Sequence, residues 1–133
     1  MRVSHQQGRH PFFSADVKQI VCQIREMNGM WHAAILSLPS GDVVKDFPNL
    51  PMNGSRSTPV RWSPDGSAID YVLTNAGSSD IWRQPLNGDA PHRLTAPGED
   101  LILYFSWNPN GTKLAYIRGK ADSDVVLTRR ALR

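Results

Sequence analysis

One unit recurs along this chain, and a recurring unit restricts architecture more than any composition figure does. Arg61-Trp62-Ser63-Pro64-Asp65-Gly66-Ser67-Ala68-Ile69-Asp70-Tyr71-Val72 is matched by Ser106-Trp107-Asn108-Pro109-Asn110-Gly111-Thr112-Lys113-Leu114-Ala115-Tyr116-Ile117. An aromatic residue, a small polar one, Pro, Asp or Asn, Gly and an apolar run follow in the same order, with Trp62 and Trp107 45 residues apart. A worn copy runs from Phe13 to Cys22, with Phe13 49 residues ahead of Trp62. Between these copies lies a weaker repeat: His32 to Asp42 and Asp80 to Asp89 each end a strand at a turn, and Asp124 to Thr128 begins a third.

Each period reads as an antiparallel meander. Pro64 presets φ for a turn, Asp65 can accept from the backbone ahead of it, and Gly66 supplies positive φ. The run that follows alternates, Ile69, Tyr71 and Leu73 on one face and Ala68, Asp70 and Val72 on the other. Asn75 to Ser79 reads as a loop, Ile81 to Gln84 as a strand, Asn87-Gly88 as a hairpin turn, and His92 to Thr95 as a strand pairing back. No stretch has a 3.6-residue pattern. Four short strands in a period of about 45 define a propeller blade, so the expected fold is all-β: a partial β-propeller of about three four-stranded antiparallel blades. The units span about 10–55, 56–100 and 101–133 of a single domain, 1–133. In the first copy Ala15-Asp16-Val17 stands where Pro-Asp-Gly does elsewhere, so that turn is expected to take another form.

The sequence resembles the TolB-like, or WD-repeat-like, β-propeller family on Trp62-Ser63-Pro64-Asp65-Gly66, Trp107-Asn108-Pro109-Asn110-Gly111 and the Asp80-Ile81-Trp82 strand. The resemblance implies a fold and little chemistry: such propellers serve as binding modules, and as non-catalytic domains of prolyl-oligopeptidase-type peptidases and of bacterial serine/threonine kinases. It also leans towards the periplasm. Closed propellers hold four to eight blades, and a three-blade arc is expected to leave apolar faces bare at both ends. Two arrangements answer this: the chain is a piece of a longer propeller, or a homodimer completes a six-bladed ring.

Little else in the sequence speaks of chemistry. There is no G-x-S-x-G elbow, no Walker loop and no kinase signature, so no catalytic residue is assigned and no cofactor is expected. His5, His10, His32 and His92 are scattered and read as surface or turn residues, not metal ligands. One cysteine, Cys22, excludes an internal disulfide. The net charge of +3 is concentrated at Arg118, Lys120, Arg129, Arg130 and Arg133 and reads as a solvated terminal strand. A protein or peptide partner is expected, with no nucleic acid and no membrane insertion; the start has no apolar signal region. The four tryptophans read as packing residues, two of them at one repeat position. Asp46 to Ser57, long and Pro-rich, reads as an inter-blade loop or spacer. Asn53-Gly54-Ser55 and Asn110-Gly111-Thr112 match the glycosylation sequon by chance.

Asp70 is the odd residue. Val21 and Ala115 hold its place in the other copies, and an unpaired buried carboxylate is costly. Its two readings are a ligand-binding carboxylate and a substitution at a blade edge left wet. Asp70, Arg61 and His32 are the candidate binding residues.

Overall fold

The structure is a computed structural model that describes residues 7–51, 59–120 and 125–131. Eleven strands and no helix occur among them. They are β1 (Gly8–Phe13), β2 (Gln19–Arg25), β3 (Trp31–Ser37), β4 (Val43–Pro51), β5 (Arg61–Trp62), β6 (Ala68–Asn75), β7 (Ser78–Pro85), β8 (His92–Arg93), β9 (Leu101–Trp107), β10 (Lys113–Gly119) and β11 (Val125–Ala131). Three antiparallel meanders result, with orders β1-β2-β3-β4, β5-β6-β7-β8 and β9-β10-β11. The first two sheets have the four strands the repeat predicts; the third has three among the described residues. The chain divides into two compact units, Met1–Trp62 and Ser63–Arg133.

The repeated turn is built alike in all three copies. In the second, Ser63 N–H donates to Ala68 O (2.9 Å) and Gly66 N–H to Ser63 O (2.9 Å). The Ser63 hydroxyl and the Ser67 N–H both donate to Asp65 Oδ1, and Ala68 N–H donates back to Ser63 Oγ. The first copy repeats this bond for bond: Ser14 N–H to Gln19 O, Val17 N–H to Ser14 O, Ser14 Oγ and Lys18 N–H to Asp16 Oδ1, Gln19 N–H to Ser14 Oγ. The third uses Asn108 and Asn110 as the acceptors. The first turn therefore does not take another form. Val17 adopts φ 60°, against 76° at Gly66 and 71° at Gly111; the small polar residue and the Asp supply enough bonds to hold a β-branched residue in the left-handed region.

In the first unit, β2 and β3 are buried on both faces. Ile20, Cys22, Ile24, Ala34 and Leu36 form one cluster at 2% exposure or less, with Leu38 packed against it. Val21, Gln23, Ala33 and Ile35 are buried on the other side. Burial also pushes the Cys22 thiol up to about 11, which leaves it an inert, protonated hydrophobe. In the second unit Ile81, Ile102, Phe105, Leu114 and Tyr116 form a buried cluster, with Val72, Leu94 and Trp107 against it. Each such side chain contributes about 1.5–3 kcal/mol by leaving water.

The segment read as a loop from Asp46 is strand as far as Pro51, the end of β4; its remainder, with the Asn53 sequon, lies outside the described residues, as does His5. A bulge in β4 lets this happen: His32 pairs with Pro51 while its neighbour Ala33 pairs with Phe47, so Pro48 is accommodated off the ladder.

Candidate functional site

Asp70 lies on β6 with no exposed surface. The β6–β7 hairpin places it opposite Arg83 in register. Arg83 Nε donates to Asp70 Oδ1 at 2.7 Å and Nη2 to Oδ2 at 2.9 Å, a two-pronged grip that matches guanidinium to carboxylate geometry. The indole N–H of Trp107, at the end of β9, donates to the same Oδ2 at 2.9 Å. The Arg83 guanidinium lies 5.5 Å from the Trp107 ring. Hydrogen bonding from Asp70, ahead of the opposing effect of burial, raises the Arg83 pKa above its ordinary value and keeps the group charged.

The reading of Asp70 as an edge residue left wet is corrected: the carboxylate is buried, and three donors of Arg83 and Trp107 occupy it inside the second unit. What it does is satisfy two long polar side chains that would otherwise be buried without partners.

Arg61 and His32 have separate settings in the first unit. Arg61, on β5, holds its guanidinium 4.3 Å from the Phe12 ring, and its neighbour Trp62 donates its indole N–H to Phe12 O at 2.9 Å. His32, on β3, is buried at 4% exposure, unlike the surface histidine expected, and unlike His10 and His92, which are exposed. Its Nδ1 lies 3.3 Å from Glu26 Oε1 and its Nε2 2.9 Å from Asp46 Oδ1. Asp70 thus belongs to the second unit, and Arg61 and His32 to the first. Among the described residues, no group of three or more His, Cys, Asp or Glu is placed to hold a metal ion.

The polar cluster that the sequence does not reveal is centred on Arg118, which by sequence reads as one of the solvated terminal charges. Its side chain, 11% exposed, donates to Ser79 O and Asp100 O at 2.9 Å, to Asp80 Oδ1 at 3.0 Å and to Ala96 O at 3.3 Å. Thr95 Oγ1 joins in, donating to Asp80 Oδ1 at 2.8 Å while accepting from Ile81 N–H at 3.1 Å. Gly98 leaves room for the guanidinium: a Cβ there would overlap Arg118 Cζ. The available signal was Asp80, which opens the second repeated strand and needs a cation once that strand is buried.

The two tryptophans that share a repeat position behave alike. Trp62 donates to the carbonyl of Phe12 on β1, and Trp107 to the carboxylate of Asp70 on β6. In each case the indole edge is tied to the sheet that comes before it in the chain, as packing residues require.

No protein-family model matches the sequence. The tricorn protease homolog of Saccharolobus solfataricus is 31% identical, over 71% of this chain and 10% of that protein. TolB from Acinetobacter baumannii superposes with a TM-score of 0.69 at 23% identity, covering 95% of this chain and 30% of that one. A prolyl endopeptidase structure gives a TM-score of 0.67 at 12% identity, covering 95% of this chain and 20% of that one. The chain spans under a third of the length of each. With its repeated meanders and repeated turns, the chain is made of β-propeller blades of the TolB-like fold.

Proposed function

We propose that this chain is a non-enzymatic module that binds or scaffolds a protein or peptide partner. The observation that carries the reading is the use made of the polar side chains. Arg83 and Trp107 both donate to Asp70, and Arg118 bonds four acceptors of its own unit. Groups engaged in this way hold sheets together and are not free to move protons on a substrate. A rigid, many-stranded scaffold with its turns presented to solvent suits recognition by loops and strand edges.

The test is to pass the purified chain over an immobilised peptide library and to analyse the peptides by mass spectrometry. Capture of intact peptides supports the reading. Cleaved peptides, or none captured, overturn it.

A second reading has its own support: relatives named as a tricorn protease homolog, prolyl endopeptidases and acylaminoacyl peptidases match this chain over a small part of their length. On that reading the chain is the accessory propeller of a larger enzyme, a peptidase or a bacterial serine/threonine kinase, in a sensing or gating role. Immunoblotting of the native source decides between the two. A band near 14.8 kDa supports the self-standing module. A much larger band, with hydrolase or kinase peptides identified in it, supports the accessory domain.

A further inference from the structure

The dipeptide Asn-Gly occurs four times, at Asn28-Gly29, Asn53-Gly54, Asn87-Gly88 and Asn110-Gly111. Asparagine in this setting can modify itself: the following amide nitrogen closes on the side-chain carbon, and glycine has no Cβ to obstruct the approach. Asn53-Gly54 lies outside the described residues. The other three sit in turns of one kind, with φ 87° at Gly29, 95° at Gly88 and 71° at Gly111.

The electrophile is prepared alike in all three. The asparagine Oδ1 accepts from the N–H two residues on: from Met30 to Asn28 at 2.9 Å, from Asp89 to Asn87 at 2.9 Å, and from Thr112 to Asn110 at 3.2 Å. Such a donor polarises the side-chain amide and stabilises the charge that develops on its oxygen when Cγ is attacked.

The nucleophile is not. Gly29 N–H donates to Glu26 O and Gly111 N–H to Asn108 O, both at 2.9 Å. The carbonyl at the matching place before Gly88 is that of Pro85, and Gln84 Nε2 donates to it at 3.0 Å. Among the described residues the Gly88 N–H has no bond as close as those of Gly29 and Gly111. The surroundings differ in the same sense: Gly29 and Gly111 are half-buried, and Gly88 is exposed. A Cβ built on Gly111 would overlap Pro64 Cβ and one on Gly29 would touch the Arg25 guanidinium, whereas one on Gly88 would meet nothing within 4 Å. An amide nitrogen must lose its proton before it attacks, and an N–H held by a carbonyl and shielded from solvent loses it slowly.

We propose that Asn87-Gly88 is a self-modification site, converting several-fold faster in the folded chain than Asn28-Gly29 or Asn110-Gly111. Hydroxide takes the proton from Gly88 N, the nitrogen bonds to Asn87 Cγ, and the Cγ–Nδ2 bond breaks. The departing nitrogen takes protons from water, regenerating hydroxide, and leaves as ammonia; a cyclic imide remains. Water then adds to one imide carbonyl and opens the ring, either to aspartate or to isoaspartate, whose main chain runs through the side-chain carbon. One water is consumed and one ammonia released, and nothing is oxidised or reduced. The product carries a new carboxylate beside Asp89, in the turn that delivers β8 to β7. This inference is independent of the binding reading above.

The test incubates the purified 133-residue chain at mildly alkaline pH, folded and in urea, with trypsin digestion and mass spectrometry of samples taken over time. Trypsin puts each Asn-Gly pair on its own peptide, and each product shows the mass gain of amide-to-acid conversion. In the folded chain the Asn87 peptide should convert about fivefold faster than the Asn28 and Asn110 peptides, the rate effect of one hydrogen bond. In urea the three rates should converge, since each pair is Asn-Gly. Amide hydrogen exchange gives a second readout: Gly88 should exchange faster than Gly29 and Gly111, because exchange needs the same loss of a proton.

Equal rates at the three sites of the folded chain overturn the proposal, as does faster conversion at Asn28 or Asn110. So does a preference for Asn87 of the same size in urea, which would come from neighbouring residues and not from the fold. Faster conversion at Asn87 without faster exchange at Gly88 also overturns it, because the Gly88 N–H would then not be the cause.

Discussion

Trp107 donates its indole N–H, at 2.9 Å, to an Asp70 carboxylate that Arg83 already holds by both oxygens. An aspartate on β6, an arginine on β7 and a tryptophan on β9 thus share one buried acceptor, and 37 residues separate the outer pair in sequence. Replacing Asp70 by Asn removes the charge and leaves Arg83, whose side chain is only 23% exposed, without its counter-ion. Loss of one partner from such a pair costs about 3 kcal/mol. Asp70→Asn should therefore lower the urea midpoint markedly. The double variant Asp70→Leu, Arg83→Met should recover most of it, losing about 1 kcal/mol for the unpaired Trp107 N–H. A D70N protein as stable as the parent would show that the pair contributes nothing.

Val17 offers a change in the opposite direction. Its φ of 60° is the conformation that Gly66 and Gly111 adopt in the matching turns, and a β-branched residue adopts it only under strain. The turn bonds around it are already those of the other copies, so glycine enters a site made for it. Val17→Gly should raise stability by about 1 kcal/mol, the relieved strain exceeding the extra chain entropy of glycine. Val17 is 59% exposed, so little packing is lost. Thermal unfolding of the two proteins under one buffer checks this, and a lower midpoint for V17G would contradict it.

How much of this was legible beforehand turns on one hairpin. Asn75 to Ser79 reads as a loop because alanine at its second position hides the turn type. Ala76 and Gly77 in fact both have positive φ, 51° and 84°, the two-residue turn whose twist suits a hairpin. Once that turn is known, counting outward from it places Asp70 opposite Arg83, and the odd aspartate is explained. The repeat gave away the meanders, because Pro, Asp and Gly punctuate the chain by local chemistry. It did not reveal Arg118, since all its partners come from elsewhere: Ser79, Asp80, Ala96 and Asp100 are 18 to 39 residues away. Long-range pairing of a charged side chain leaves no periodic mark in sequence.

Gly98 and Arg118 form a pair that should fail together. An added methyl at Gly98 would occupy the guanidinium's position and displace a side chain that satisfies three backbone carbonyls and Asp80. Gly98→Ala should cost about 2 kcal/mol through overpacking and lost bonds. Arg118→Met should cost a similar amount by itself. Because both act on the same contacts, the double variant should be clearly less damaged than the sum of the two. Chemical unfolding of the four proteins tests this, and simple additivity would mean that Gly98 matters for a reason other than Arg118.

Asp65 sets a prediction in pH. Three donors, the Ser67 N–H, the Ser67 hydroxyl and the Ser63 hydroxyl, hold its carboxyl down to about 2, against about 3.9 in an unfolded chain. A depressed folded value means that the unfolded state takes up the proton first. The stability from this turn is therefore complete above about pH 4 and lost as the pH falls through the folded value of about 2. The group is exposed, so solvent screening limits the contribution to about 1 kcal/mol or less. Asp65→Asn can still accept from the same donors but does not titrate. Its unfolding free energy, measured from pH 5 down to pH 2, should fall less steeply than the parent's. Parallel curves would show that the bonds to the Asp65 carboxylate hold the turn no better than an amide does.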